Sequence, residues 1–131
     1  MFKINRATEY AMLLLVSLLT DKSNKPLPLS YIAKTKNLPL KYLEQIALKL
    51  KEKKLIKSKQ GSGGGYLLTS EVNKISLKKI IEAVEGKKGL VSCIHGECKL
   101  ESNCLHKKVW LNLQQILEKE LEKITLLDLV K

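Results

Sequence analysis

Three cysteines fall within one short segment, Cys93-Ile-His-Gly-Glu-Cys98-Lys-Leu-Glu-Ser-Asn-Cys104, and they are the only cysteines among 131 residues. The spacing is C-x4-C-x5-C. Three thiols suit disulfides poorly, because one is left over. They suit a soft metal centre better. Thiolate sulfur favours iron–sulfur clusters and zinc, with a fourth ligand drawn from elsewhere in the chain or from a partner. Lys87, Lys88, Lys99, Lys107 and Lys108 flank the segment and favour the thiolate form, although lysines in such numbers also serve plain solvation. Two histidines are at hand. His95 lies between the first two cysteines, and His106 lies two residues past the third. The bland alternative, three cysteines as small buried hydrophobes, fits a polar loop badly.

The elements around this segment must hold it and respond to it. The chain is 44% hydrophobic and 28% charged, which is globular rather than disordered. Its length suits one domain, or one domain with an appended helix. Ile4, Ala7, Ala11, Leu14, Leu15 and Leu18 recur at helical spacing and predict a first helix over about 3–20. Ser30 is the expected N-cap of a short helix over 30–36, and Asn37-Leu38 breaks it. Pro39 suits the first turn of a second helix over 39–53, with Leu43, Ile46, Ala47 and Leu50 as its buried stripe. Leu55–Gln60 and Tyr66–Thr69 read as two strands around Gly61-Ser62-Gly63-Gly64-Gly65. Ile75–Val84 predicts a further helix, capped near Ser76 and stopped at Gly86. Residues 87–103 carry no periodicity. A long helix is expected from about Cys104, with Val109, Leu113, Leu117, Leu121, Ile124 and Leu127 on one side. A symmetric twin is the simplest cover for that side; the alternative is that the helix folds back on the chain's own core, as Trp110 would do while the rest pairs.

Two helices joined by a short turn and followed by a hairpin form a winged helix-turn-helix. The fold class expected is therefore mainly α with a small β-hairpin wing and a long C-terminal dimerisation helix. The division is 1–86 for the DNA-binding domain, 87–104 for the cysteine loop and 105–131 for the dimerisation helix.

Charge agrees with a nucleic-acid partner. The net charge is +11, from 24 Lys+Arg against 13 Asp+Glu, and only Arg6 is an arginine. Between Ser30 and Tyr66 nine lysines face two acids, a local +7. A lysine run is commonly a solvated face, but here it coincides with helix, turn, helix and wing. The expected DNA contacts are Lys41, Tyr42, Glu44, Gln45 and Lys49 on the second helix and Lys57, Lys59, Gln60, Ser62 and Gly63 on the wing. Glu44 is the candidate base reader, since a carboxylate accepts from cytosine N4.

Several segments in order carry a family resemblance: Glu9-Tyr10-Ala11, Tyr42-Leu43-Glu44-Gln45-Ile46, Gly63-Gly64-Gly65-Tyr66-Leu67-Leu68 and Ile80-Ile81-Glu82-Ala83-Val84-Glu85-Gly86, then the three cysteines and Trp110. The chain resembles, over nearly its whole length, the winged-helix iron–sulfur transcription regulators that include IscR, NsrR, RirA and CymR. The resemblance implies a homodimer paired through long C-terminal helices. It implies an iron–sulfur cluster, [2Fe-2S] or [4Fe-4S], on Cys93, Cys98 and Cys104. IscR-like members place a histidine ligand three residues past the last cysteine, where this chain has Lys107. His106 is one residue off that position, a rotation of about 100° on a helix. Glu9 matches a position where NsrR-like members carry an acidic ligand given by the opposite subunit. Its distance along the chain from the cysteines also argues for a crossing ligand. Two departures stand out. The usual cysteine spacing is C-x5-C-x5-C, and an arginine often precedes the wing glycines where this chain has Lys59-Gln60. Lysine is the more strongly hydrated cation and the poorer minor-groove probe, so the target preference is expected to differ.

The function expected is a dimeric regulator that binds double-stranded DNA under the control of this cluster. It would sense redox state, nitric oxide or iron and cluster status. The alternative is a zinc-stabilised or thiol-redox regulator of the same fold. An enzyme is not expected: there is no C-x-x-C in a thioredoxin-like context, no Ser/His/Asp set and no nucleotide phosphate loop. The apolar run 11–19 sits within an amphipathic pattern, is too short to span a bilayer and lacks a cleavage site. A cytoplasmic protein is therefore expected.

Overall fold

The computed structural model describes residues 3–69, 71–87, 89 and 105–130. Asn5 starts the first helix, α1 (Arg6–Thr20), and its side-chain oxygen accepts from the Ala7 N–H at 2.9 Å. This cap leaves Ile4, expected on the helical stripe, before the helix and 52% exposed. The buried stripe runs Ala7, Ala11, Leu14 and Leu15.

The second helix, α2 (Leu29–Lys36), begins one residue earlier than expected, and Pro28 rather than Ser30 is its N-cap. The reason is tertiary. Leu27 and Tyr66 exchange backbone hydrogen bonds of 2.9 Å in both directions, which ties the entry to the wing. Leu29 then falls into the core while Ser30 is left exposed in the first turn. Asn37 ends α2 in the left-handed conformation, with φ 54° and ψ 52°. Pro39 is likewise the N-cap, not the first helical residue, of α3 (Leu40–Glu52). Leu43, Ile46, Ala47 and Leu50 are buried as expected. Burial of each large one is worth about 1.5–3 kcal/mol, and they pack with Leu14, Leu15 and Ile32 in one core.

The wing is β1 (Ile56–Lys59) paired antiparallel with β2 (Gly65–Leu68), in register Ile56↔Leu68 to Lys59↔Gly65. Its glycines answer to the chain's own backbone. A Cβ on Gly65, whose φ is +158°, would lie 2.5–2.7 Å from the Leu27 carbonyl group and the Pro28 nitrogen. A Cβ on Gly64 would strike the Lys59 carbonyl oxygen.

The next helix, α4 (Leu77–Glu85), has the expected ends. Ser76 caps it by accepting from the Lys79 N–H at 3.2 Å, and Gly86 closes it. The last helix, α5 (Leu105–Lys123), is shorter than expected. It stops before Ile124, and Leu126–Val130 form a 3-10 turn. Leu77 N–H donates to the Ile124 carbonyl at 2.9 Å, and Leu126 N–H donates to the Ile75 carbonyl at 2.8 Å. These bonds fold the tail back onto the N-terminal core, where Leu126 is completely buried. Changing Leu126 to Ala is expected to cost about 2–5 kcal/mol, read as a lower urea midpoint. A cost below about 0.5 kcal/mol would place the tail outside the cooperative core.

Trp110, Leu113, Leu117 and Leu121 lie on the half-buried side of α5, and Leu121 shares a small cleft with Ile81 and Lys78 of α4. Leu113, Leu117 and Leu121 are each half-buried, none of them fully. Leu105, Val109 and Ile116 form a separate stripe, 78%, 63% and 51% exposed. Lys78 donates to Glu122 at 2.9 Å and lies 3.9 Å from Glu82, which fastens the end of α5 to α4. The hydrogen bond to Glu122 holds the Lys78 ammonium above its ordinary pKa. Among the described residues no helix is long and apolar enough to cross a membrane.

Candidate nucleic-acid interface

The buried stripe of α3 fixes what its other side can present. With about 100° per residue, Lys41, Glu44, Leu48 and Lys51 step by three, four and three along the outward face. All four are exposed. This ridge forms one wall of a groove. The entry of α2 contributes Ser30, α3 contributes Leu40, Glu44, Leu48 and Lys51, and the wing contributes Ser58, Lys59, Gln60 and Gly64. A helix ridge beside a lysine-bearing hairpin matches the needs of duplex DNA: a rod for the major groove and cations for the flanking phosphates.

Of the expected contact residues, Glu44, Lys59 and Gln60 line this groove, and Lys41 and Gln45 are exposed on α3 outside its lining. Lys57 is exposed on β1, paired opposite Leu67. Ser62 and Gly63 are exposed at the wing tip, where Gly63 takes φ +74° and Gly64 N–H closes the turn on the Gly61 carbonyl at 2.9 Å.

Two residues are turned elsewhere. Tyr42 is half-buried and meets Tyr10 of α1 edge to face, with ring centroids 5.3 Å apart. Such a pair joins helices and leaves the ring little reach toward a ligand. Lys49 extends toward α4, and its Nζ donates to the Val84 carbonyl at 3.3 Å. A cation there answers the carbonyl end of a helix. The charge count did not separate Lys49 from Lys51, and Leu48 and Lys51 were missed as ridge residues. The spacing carries the signal for Leu48, about 140° round the helix from Leu43, but not for Lys51, one turn past buried Ala47.

The cysteines Cys93, Cys98 and Cys104 and His95 lie outside the described residues. The ends of their segment are informative. Thr8, buried in the first turn of α1, donates its hydroxyl to the Glu85 carboxylate in the last turn of α4. Glu9 is the next residue and is exposed. The first turn of α1 therefore stands beside the point where the chain leaves for the cysteines. Separation along the sequence is no argument that Glu9 must reach across to another subunit. His106 is exposed in the first turn of α5. Among the described residues no three His, Cys, Asp or Glu side chains converge to hold a metal.

Comparison with known proteins agrees with this architecture. Residues 4–131 match the Rrf2 family model, described as "Iron-dependent Transcriptional regulator". The transcriptional regulator IscR of Vibrio campbellii is 30% identical over 130 residues, which are 98% of this chain and 77% of that protein. The solved structure of CymR, the global cysteine regulator of B. subtilis, superposes with a TM-score of 0.79 at 31% identity, covering 98% of this chain and 96% of that one. The structure of T. potens IscR gives 0.76 at 28% identity, covering 98% and 86%. A helix-turn-helix with a hairpin wing, a groove between the two and a family match over almost every residue lead to one conclusion: the chain belongs to the Rrf2 family of DNA-binding, winged-helix transcription regulators.

Proposed function

We propose that this chain acts as a homodimer whose binding to double-stranded DNA is controlled by an iron–sulfur cluster held by Cys93, Cys98 and Cys104. The observation that carries the reading is where the cysteine segment is rooted. It leaves from the end of α4, and that end is joined to α1 by the Thr8–Glu85 hydrogen bond and to α3 by the Lys49–Val84 hydrogen bond. A displacement at this root therefore reaches the DNA-reading helix through one side chain. The exposed stripe of Leu105, Val109 and Ile116 supports pairing with a second copy.

The donor chemistry fits such a cluster. Three thiolates are soft ligands, and exposed Glu9 and His106 are candidates for a harder, more easily displaced fourth position. Bound there, a cluster would supply a centre open to oxygen, nitric oxide or iron loss. The similarity to IscR proteins supports this reading. The similarity to CymR, which in Staphylococcus aureus has been solved in an oxidized form, favours a second one, in which the thiols act without a cluster, through reversible oxidation or zinc.

Anaerobic purification tests the choice. A cluster gives a brown protein with visible absorption and stoichiometric iron and sulfide. Zinc gives a colourless protein with one metal per chain. A purely thiol-based switch gives neither, and oxidation would produce a disulfide.

A further inference from the structure

Leu48 sits midway along the outward ridge of α3 with 56% of its surface exposed. The core is supplied by Leu43, Ile46, Ala47 and Leu50 of that helix, and more than half of Leu48 faces solvent. Its ridge neighbours are Glu44 and Lys51, and Leu40, 40% exposed, stands in the same groove. An apolar side chain in such a setting needs an apolar partner within a polyanion, because the segment from Ser30 to Tyr66 carries +7. The major groove of DNA offers one such group, the 5-methyl of thymine.

We infer that Leu48 is a specificity-determining residue that contacts a thymine methyl in each half of the DNA site. The inference rests on α3 being the DNA-reading helix. Glu44 and Leu48 are four residues apart, a rise of about 6 Å along the helix axis. That spans roughly two base-pair steps of about 3.4 Å. A cytosine read by Glu44 and the thymine read by Leu48 therefore fall within about two base pairs of each other.

Replacing thymine by deoxyuridine removes only the methyl group, so it isolates this contact. Duplexes would first be selected from a random pool by the full-length chain. Each thymine in the selected half-site would then be replaced in turn, and affinities measured for the wild type and for Leu48→Ala. The expected result is one thymine per half-site whose replacement weakens the wild type about fourfold, the size of one buried methyl. Replacement in both half-sites should weaken it about fifteenfold. Leu48→Ala, which alters an exposed position and leaves the core intact, should bind the thymine and uracil forms alike. If every replacement is neutral for the wild type, the inference is overturned, as expected were the leucine to meet a protein instead. It is also overturned if the uracil penalty persists undiminished in Leu48→Ala. Failure of the wild type to select any duplex would overturn the DNA-reading role of α3 itself, a result distinct from the other two.

Discussion

DNA affinity is expected to fall about ten-thousandfold between roughly 50 and 200 mM salt. The exposed cations along the groove and wing are Lys41, Lys51, Lys57 and Lys59. Two copies of the chain then neutralise about eight phosphates, and at about 0.9 released ions per phosphate the log–log slope is near −7. The same arithmetic separates two neighbouring lysines. Lys51→Ala removes one groove cation from each copy and should flatten the slope by about 2. Lys49→Ala should leave the slope unchanged, because that ammonium is directed at the Val84 carbonyl. Its loss should instead lower stability by about 1 kcal/mol. Fluorescence anisotropy titrations at several salt concentrations, with urea melts of the same variants, read both quantities. A slope near zero for the wild type would remove the electrostatic basis of the interface. A flattened slope in Lys49→Ala with none in Lys51→Ala would reverse the assignment of the two faces of α3.

The elements that local chemistry dictates were the ones legible in the sequence. Ser76 and Gly86 delimit α4 as read, because a side-chain cap and a glycine stop act within one helical turn. The buried stripe of α3 was equally plain, since a 3.6-residue period needs no knowledge of the partner surface. Where sequence and structure part, a distant segment decides. Ser30 has the right chemistry to cap α2, but the Leu27–Tyr66 pairing sets the entry of the chain and shifts the cap to Pro28. Of the apolar positions expected along the last helix, Leu113, Leu117 and Leu121 are half-buried, and Leu121 shares its cleft with Ile81 of α4. The pairing of Thr125 with Ser76 stops α5 at Lys123, which no pattern near residue 123 announces.

The wing glycines show the same division. At Gly64 and Gly65 the space that a Cβ would take is filled by the backbone of Lys59, Leu27 and Pro28, so part of the glycine content serves the wing's own seating. Tyr42 belongs with them. A tyrosine on a DNA-reading helix invites assignment to the ligand, but Tyr10 lies against it. The Glu9-Tyr10-Ala11 and Tyr42-Leu43-Glu44 segments that carried the family resemblance are, at their tyrosines, two halves of one packing contact.

Serine at Cys93, Cys98 or Cys104 is expected to abolish cluster binding in each single variant while the unfolding free energy of the metal-free chain, from urea melts, stays within about 0.5 kcal/mol of the wild type. The second half of this expectation comes from the core. Among the described residues, the buried hydrophobic core lies between Ala7 and Val84 together with Leu126. That set already spans α1, α2, α3, the wing, α4 and the tail. Full cluster retention in any one serine variant would sink the three-thiolate ligand set. Loss of the fold in all three would show instead that the cysteines are structural. The fourth position is then decided by Glu9→Ala and His106→Ala. Loss of the true ligand leaves three thiolates, so the cluster should still assemble but decay faster in air, with a shifted visible spectrum. For Glu9 a mixed dimer separates the two routes that the fold leaves open. Pairing a Glu9→Ala chain with a Cys98→Ser chain keeps one complete site if Glu9 reaches across the dimer, built from the cysteines of the first and the Glu9 of the second. It keeps none if Glu9 serves its own chain, the route made short by the Thr8–Glu85 hydrogen bond beside it. Wild-type spectra and air stability in both alanine variants would exclude both side chains and transfer the role to His95 or to a ligand from solution.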